Sequence, residues 1–278
     1  RLVEALQSKR ISLISEAVTT GIDDSLDLVE TNSQFVPKVP HGWKLWRLKH
    51  LADVRGGLTI GRAVPIERPV IPVSYLRVAN VQAGWIDLSD VAETHVTSAE
   101  VEKYSLAEGD VLMNEGGDND KLGRGAVWTA PFHPCLHQNH VFCVRPRERH
   151  YAEWISLATN AQYARDFFFL HSNQSTNLAS ISRSNLQQFP VAIPPHGEMR
   201  DLLSRVHAAL ARIDRVISAV RTSIEGLREF RSALITAAVT GQMDVTTWGR
   251  RGETDRRLER IEEEMSAAPG RGEVVAAS

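Results

Sequence analysis

Residues 3 to 23, VEALQSKRISLISEAVTTGID, align without a gap to residues 224 to 244, IEGLREFRSALITAAVTGQMD. Nine aligned positions are identical, among them Glu4/Glu225, Leu6/Leu227, Arg10/Arg231, Leu13/Leu234, Ile14/Ile235 and Asp23/Asp244. An offset of 221 residues is far too long for a solenoid unit. The pair therefore implies two copies of one helical element flanking a globular insert.

The second copy ends a longer pattern. Apolar residues fall at Met199, Leu203, Val206, Leu210, Ile213, Ile217, Val220, Ile224 and Leu227, with spacing that alternates between four and three. That rhythm is the seam of a coiled coil, narrower than the stripe of a general amphipathic helix. The next seam position is Arg231, and its counterpart in the first copy is Arg10. A charged residue at one seam position fixes register at some cost in stability. Pro194 and Pro195 stop any helix upstream, and Gly241 closes the far end. At about 1.5 Å per residue, a helix over this span is roughly 65 Å long. Such an element sets distances. The competing reading is a helix that simply packs on its neighbouring domain.

Between the two copies the texture changes. VSYLRVANV (73–81), DVLMN (110–114), GAVWT (125–129) and HVFCVRP (140–146) are short β-like runs broken by Gly, Pro and Asp. YAEWISLATNAQYARDFFFL (151–170) has helical spacing. The chain thus reads as α+β. Residues 1–36 are the end of a first helix plus a linker, and 37–195 are a mixed domain. Residues 196–244 are a long coiled-coil helix, and 245–278 form a charged tail low in apolar residues, read as disordered.

Composition bounds the function classes. The chain is 42% hydrophobic and 24% charged, as expected of a globular protein, and nothing approaches 18 consecutive apolar residues. Cys135 and Cys143 are the only cysteines, which suggests a reducing, cytoplasmic setting. The opening RLVEALQSKR has neither an initiator Met nor a signal-peptide pattern and reads as a segment of a longer protein. A formal net charge of −2 gives no global sign of a nucleic-acid partner, so any basic surface must be local.

Catalytic signatures are absent: there is no GxGxxG, Walker, GxSxG or HExxH pattern. HPCLHQNHVFC (133–143) gathers His133, Cys135, His137, His140 and Cys143. Nitrogen and sulfur donors at close spacing suit zinc, but the segment alternates like a strand and contains no CxxC. Polar or phosphate-facing strand residues are the favoured reading, with a structural zinc as the alternative. GGDNDKLGRGA (116–126) is the most informative loop. Its glycines permit close backbone approach, and Lys121 and Arg124 supply positive charge. Asp118 and Asp120 argue against a simple phosphate cradle and suit hydrogen bonding to base edges. An ordinary tight surface loop is the alternative. HSNQSTNLASISRSNL (171–186) is dense in Asn, Gln, Ser and Thr, which serve base and phosphate contacts or any loop equally.

Taken together, these segments resemble the specificity subunit of type I restriction–modification systems. The resemblance begins at HGWKLWRLKHLADVRGG (41–57) and continues through SYLRVANVQAGWIDLSDV and YSLAEGDVLMNEGGDNDKLGRGAVW. It extends through HQNHVFCVRP and QSTNLASISRSNLQQFPVAIPP, while the family's PLAEQ-type segment is altered to PHGEMRDLL. In that family two target recognition domains alternate with two conserved helices that pair as an antiparallel coiled coil. The resemblance implies that 37–195 is one target recognition domain and that the chain is the C-terminal half of such a subunit. It further implies that the chain reads one half of a bipartite double-stranded DNA target and docks methyltransferase (M) and restriction (R) subunits. Under that reading the chain is not an enzyme and binds no cofactor. S-adenosylmethionine, ATP and Mg belong to the partner subunits, and no membrane is involved. The implied DNA contacts are Arg77 and Asn80 on the SYLRVAN run, then Asp118, Lys121 and Arg124 in the glycine loop. His137, Gln138 and Asn139 follow, then Gln174, Thr176, Asn177 and Ser182. Three alternatives stay open: a coiled-coil scaffold, a half-length subunit acting as a symmetric pair, and a zinc enzyme built on His133 to Cys143.

Overall fold

Residues 1–23, 25–61, 69–117, 122–174 and 179–241 are described by the computed structural model of the chain. They fall in two units, Arg1–Ile217 and Ser218–Ser278. In the first, helix α1 (Leu2–Thr19) leads into the hairpin β1 (Leu28–Glu30) and β2 (Lys38–Pro40). β3 (Lys44–Arg47), the single turn α2 (Leu48–Leu51) and β4 (Ala52–Arg55) follow. β5 (Ile71–Leu76) and β6 (Ala92–Val96) come next, then α3 (Ser98–Tyr104), β7 (Val111–Asn114), β8 (Gly116–Gly117) and β9 (Gly125–Val127). β10 (Cys135–His137), β11 (Val141–Pro146), α4 (Tyr151–Thr159), α5 (Gln162–His171) and β12 (Ser172–Gln174) continue the chain. β13 (Ala179–Ile181), α6 (Arg183–Leu186), β14 (Pro190–Ile193) and the long α7 (His196–Val239) complete it.

The strands form small sheets, as their shortness requires. The central one has the order β4-β11-β7-β9 and is antiparallel throughout. A second has the order β10-β5-β6, with β10 parallel to β5, and a third has the order β12-β13-β8. β7 and β11 are buried along Val111–Asn114 and Val141–Val144, so their side chains are covered on both faces and do not alternate. Asp110 is also buried, and it accepts two short hydrogen bonds from Arg145, Nε to Oδ1 at 2.7 Å and Nη2 to Oδ2 at 2.6 Å. A buried carboxylate needs such a bidentate partner to offset its lost hydration.

The expected helix over 151–170 is two helices. Asn160 breaks it by donating from Nδ2 to Ser156 O (2.6 Å) and Gly125 O (2.8 Å), which ties the break to β9. The main core is built where α4 and α5 meet β14 and the start of α7. Trp154, Phe167, Phe168, Phe189, Val191 and Val206 are fully or nearly fully buried there. Trp154 Nε1 donates to Ala192 O at 2.7 Å. α1 enters this core through Ile14, Ala17 and Val18.

Two ion pairs join α1 and its following turn to α7: Arg10 Nε–Asp214 Oδ1 at 3.5 Å and Arg205 Nη1–Asp23 Oδ2 at 3.4 Å. Residue numbers rise on one side as they fall on the other, so the two segments run antiparallel. Arg10, the charged seam residue of the first copy, thus has an acidic partner. The seam itself is partly shifted. α7 buries Met199, Leu202, Val206, Leu210, Ile213 and Ile217, while Leu203 is only half-buried at the edge of the same face. The start of α7 covers a broad domain core, which calls for a wider apolar stripe than a two-helix seam. In the second unit Val220 is half-buried, whereas Ile224, Arg231 and Leu227 are exposed, Leu227 at 67%.

These positions give a direct contrast. Ile213→Ala should cost about 2 kcal/mol in urea unfolding of the full chain. Leu227→Ala should change it by less than about 0.5 kcal/mol.

Candidate nucleic-acid interface

The glycine loop and the Asn/Ser/Thr-rich loop, far apart in sequence, emerge from paired strands. β8 pairs with β13 in the register Ala179↔Gly117 and Ser180↔Gly116. Asp118 and Lys121 follow β8 and Thr176 and Asn177 precede β13, and all four lie outside the described residues, as does the side chain of Gln174. Their flanking residues therefore open from one strand pair.

The glycine loop is closed at its base. Gly123 N–H donates to Asn114 O (3.1 Å), and Asn114 N–H donates to Arg124 O (3.2 Å). Gly123 has φ +70°, and a Cβ on it would sit 2.1 Å from Cδ2 of Phe168. Only glycine both adopts that backbone and lets the loop lie on the ring beneath it. Asn114 is buried, and its Nδ2 donates to Val81 O at 3.1 Å. Arg124 is half-buried at the loop's end.

A third segment joins the same place. The turn Gln138–His140 links β10 to β11, and His140 O accepts from Glu115 N–H at 3.0 Å. Glu115 O in turn accepts from Ile181 N–H at 2.9 Å. Glu115 is thus the residue through which β7, β13 and the turn meet. Gln138 and Asn139 are half-buried in this turn, with their backbone N–H groups bound to Leu76 O and Leu58 O. Ser182 caps α6, its Oγ accepting from Asn185 N–H at 3.1 Å.

Three expected contact residues are placed differently. Arg77 and Asn80 do not lie on a strand: β5 ends at Leu76, and a 3-10 turn covers Val78–Asn80. Asn80 is buried, accepting from Arg77 N–H at 2.8 Å and donating to Asp87 O and Asp90 O. Its amide holds a turn together and has no face toward solvent. Arg77 Nη2 is paired with Asp90 Oδ2 at 2.8 Å. His137 is buried, its Nδ1 2.7 Å from Val141 O. In the turn that follows His137 the exposed residue is His140, which the strand-like alternation of the run did not single out. Its Nδ1 lies 3.0 Å from Glu115 Oε2.

Burial pushes the Cys135 thiol up to about 12 and raises that of Cys143 further, so both are protonated in the metal-free chain. Among the described residues no group of three His, Cys, Asp or Glu side chains is placed to hold a metal ion.

No family model matches the chain. Curated proteins do, among them two at 21% identity: the EcoKI specificity subunit of Escherichia coli over 196 residues and the StySPI specificity subunit of Salmonella potsdam over 209. Both are type I restriction enzyme subunits; the matches cover 69% and 74% of this chain but 41% and 44% of those proteins. The chain thus spans less than half the length of the curated relatives it matches. A solved structure described by complex assembly and conformational transition of the type I R-M system superposes with a TM-score of 0.57 at 16% identity, covering 85% of this chain and 52% of that one. The HsdS subunit of Thermoanaerobacter tengcongensis gives 0.50 at 15% identity, covering 87% and 52%. The fold is that of the type I specificity subunits. Within this specificity-subunit fold, the loops described above are carried by the mixed α+β portion, and α7 is the long helix that follows it.

Two outcomes test this site. Gly123→Ala should destabilise the chain by about 1–3 kcal/mol in urea unfolding. Phe168→Leu should recover part of that loss by making room. Burial disfavours the charged ring of His137 and lowers its pKa. The folded chain therefore takes up that proton less readily than the unfolded chain. Its contribution is complete above about pH 6.5 and is lost as pH falls below that. Thermal melts should show a lower Tm at pH 5.0 than at pH 7.5, and His137→Gln should flatten the difference.

Proposed function

We propose that this chain is the DNA-reading, specificity component of a type I restriction–modification complex, acting on one half of a bipartite target. The observation that carries this reading is the β8–β13 pairing, which opens a glycine loop with Lys121 and Arg124 and a loop with Gln174, Thr176 and Asn177 from one strand pair. Polar and basic residues following one strand of a pair and preceding the other suit contact with base edges and phosphates together. Arg124, Lys121 and Asp118 carry the glycine-loop contacts. Gln138, Asn139 and Ser182 add further polar contacts. Arg77, paired with Asp90, supports the turn at Val78–Asn80.

The partners are double-stranded DNA, methyltransferase (M) subunits and restriction (R) subunits. α7 is the docking element, and the exposed Ile224, Leu227, Ile235 and Val239 of the second unit are what a docking helix needs. In this reading the chain selects the site and performs no chemistry. Adenine methylation, with S-adenosylmethionine, and ATP- and Mg-dependent cleavage are the work of the partners. A purely scaffolding role draws on the same exposed stripe, but it leaves the convergent loops without a use.

Methylation mapping tests this reading in cells that carry the intact locus. Deleting this gene should abolish methylation of one bipartite motif. An unchanged methylation pattern overturns the proposal. In binding assays with that motif, Arg124→Ala should weaken affinity by about 5- to 150-fold. Lys121→Ala should reduce the slope of log K against log salt by about one.

A further inference from the structure

We infer that His140, fixed by Glu115, is a base-reading residue that accepts a hydrogen bond from the exocyclic amine of adenine or cytosine. The inference rests on the DNA-reading function proposed above and adds a specific contact to it.

Position comes first. The His140 carbonyl accepts from the Glu115 N–H, and the Glu115 carbonyl accepts from the Ile181 N–H. The turn that carries the ring is therefore tied by backbone to Glu115 and, through it, to β13. Its side chain is 59% exposed, against 29% for Glu115. His137, three residues earlier, is buried and its Nδ1 is used by Val141 O, so it has no such reach.

The chemistry follows from the partner. An ionised carboxylate only accepts, so Glu115 Oε2 at 3.0 Å places the hydrogen of the neutral ring on Nδ1. Nε2 is then an acceptor. Asn139 Nδ2 lies 3.5 Å from it, a long contact with the donor facing that acceptor. A closer donor displaces it readily. In the major groove the donors are adenine N6 and cytosine N4, whereas guanine and thymine present acceptors at the equivalent edge. A neutral His140 therefore distinguishes A or C from G or T at one position. The carboxylate behind it favours this tautomer of the neutral ring over the other.

The test is the methylation pattern of cells carrying the complete locus, with this gene replaced by His140→Ala or His140→Gln. The wild-type motif should contain an A or C that His140→Ala makes degenerate, with discrimination there falling about ten-fold and every other position kept. His140→Gln, which retains an acceptor oxygen, should keep part of the preference. If His140→Ala leaves every position as strict as before, the His140 assignment fails while the DNA-reading function stands. If both variants, present at wild-type level, lose methylation everywhere, the assignment also fails, because His140 would then anchor binding without choosing a base. If deleting the gene changes no methylation at all, the DNA-reading function itself fails.

Discussion

Two residue pairs, Gly116–Ser180 and Gly117–Ala179, hold the candidate interface together. Without that short ladder the glycine loop and the polar loop would be separate surface segments, each bearing its own ordering entropy. With it, Glu115 sits at a junction of three segments, and the turn bearing His140 is tied to the same point. Smallness is the condition for this. A Cβ at Gly116 would lie 2.9 Å from Ala179 O, so the strand approaches its partner as closely as it does because no side chain intervenes. Gly123 imposes the same condition at the other end of the loop, over Phe168.

Beneath the loops, stability comes from an apolar core crossed by a few well-partnered polar groups. The Asp110–Arg145 pair joins the start of β7 to β11 in the middle of the central sheet, Trp154 and Tyr163 bind backbone carbonyls of β14, and Asn160 bridges α4 to β9. Burial raises the pKa of Tyr163 as it does those of the two cysteines, so all three stay neutral. The one buried carboxylate of this set is held by its arginine. The chemistry available to the chain therefore lies at its surface.

Periodicity was the strongest signal in the sequence, and it located the long helix and the central strands. Where it erred, tertiary context decided. Leu202 displaces Leu203 from the buried face because α7 begins on a broad core. Asn160 splits a helix that the apolar spacing ran straight through, because its amide finds a carbonyl on β9. Asn80 and His137 look like exposed polar residues in a linear reading, yet each is consumed by backbone groups that only the fold brings near. His140 shows the reverse: nothing in HQNHV separates it from its neighbours until Glu115 is seen beside it. The positions of Asp118, Lys121, Thr176 and Asn177 were readable only as loop composition.

The contact between Asp23 and Arg205 spans 182 residues of sequence. Everything that distinguishes one surface from another in the first unit is strung between two points that touch. An inserted body whose entry and exit are neighbours can be carried without spreading the helices apart. What ties it to them is the shared apolar core. Another body in its place would have to keep the apolar face that packs on Ile14, Ala17 and Val18 of α1 and on Val206 and Leu210 of α7.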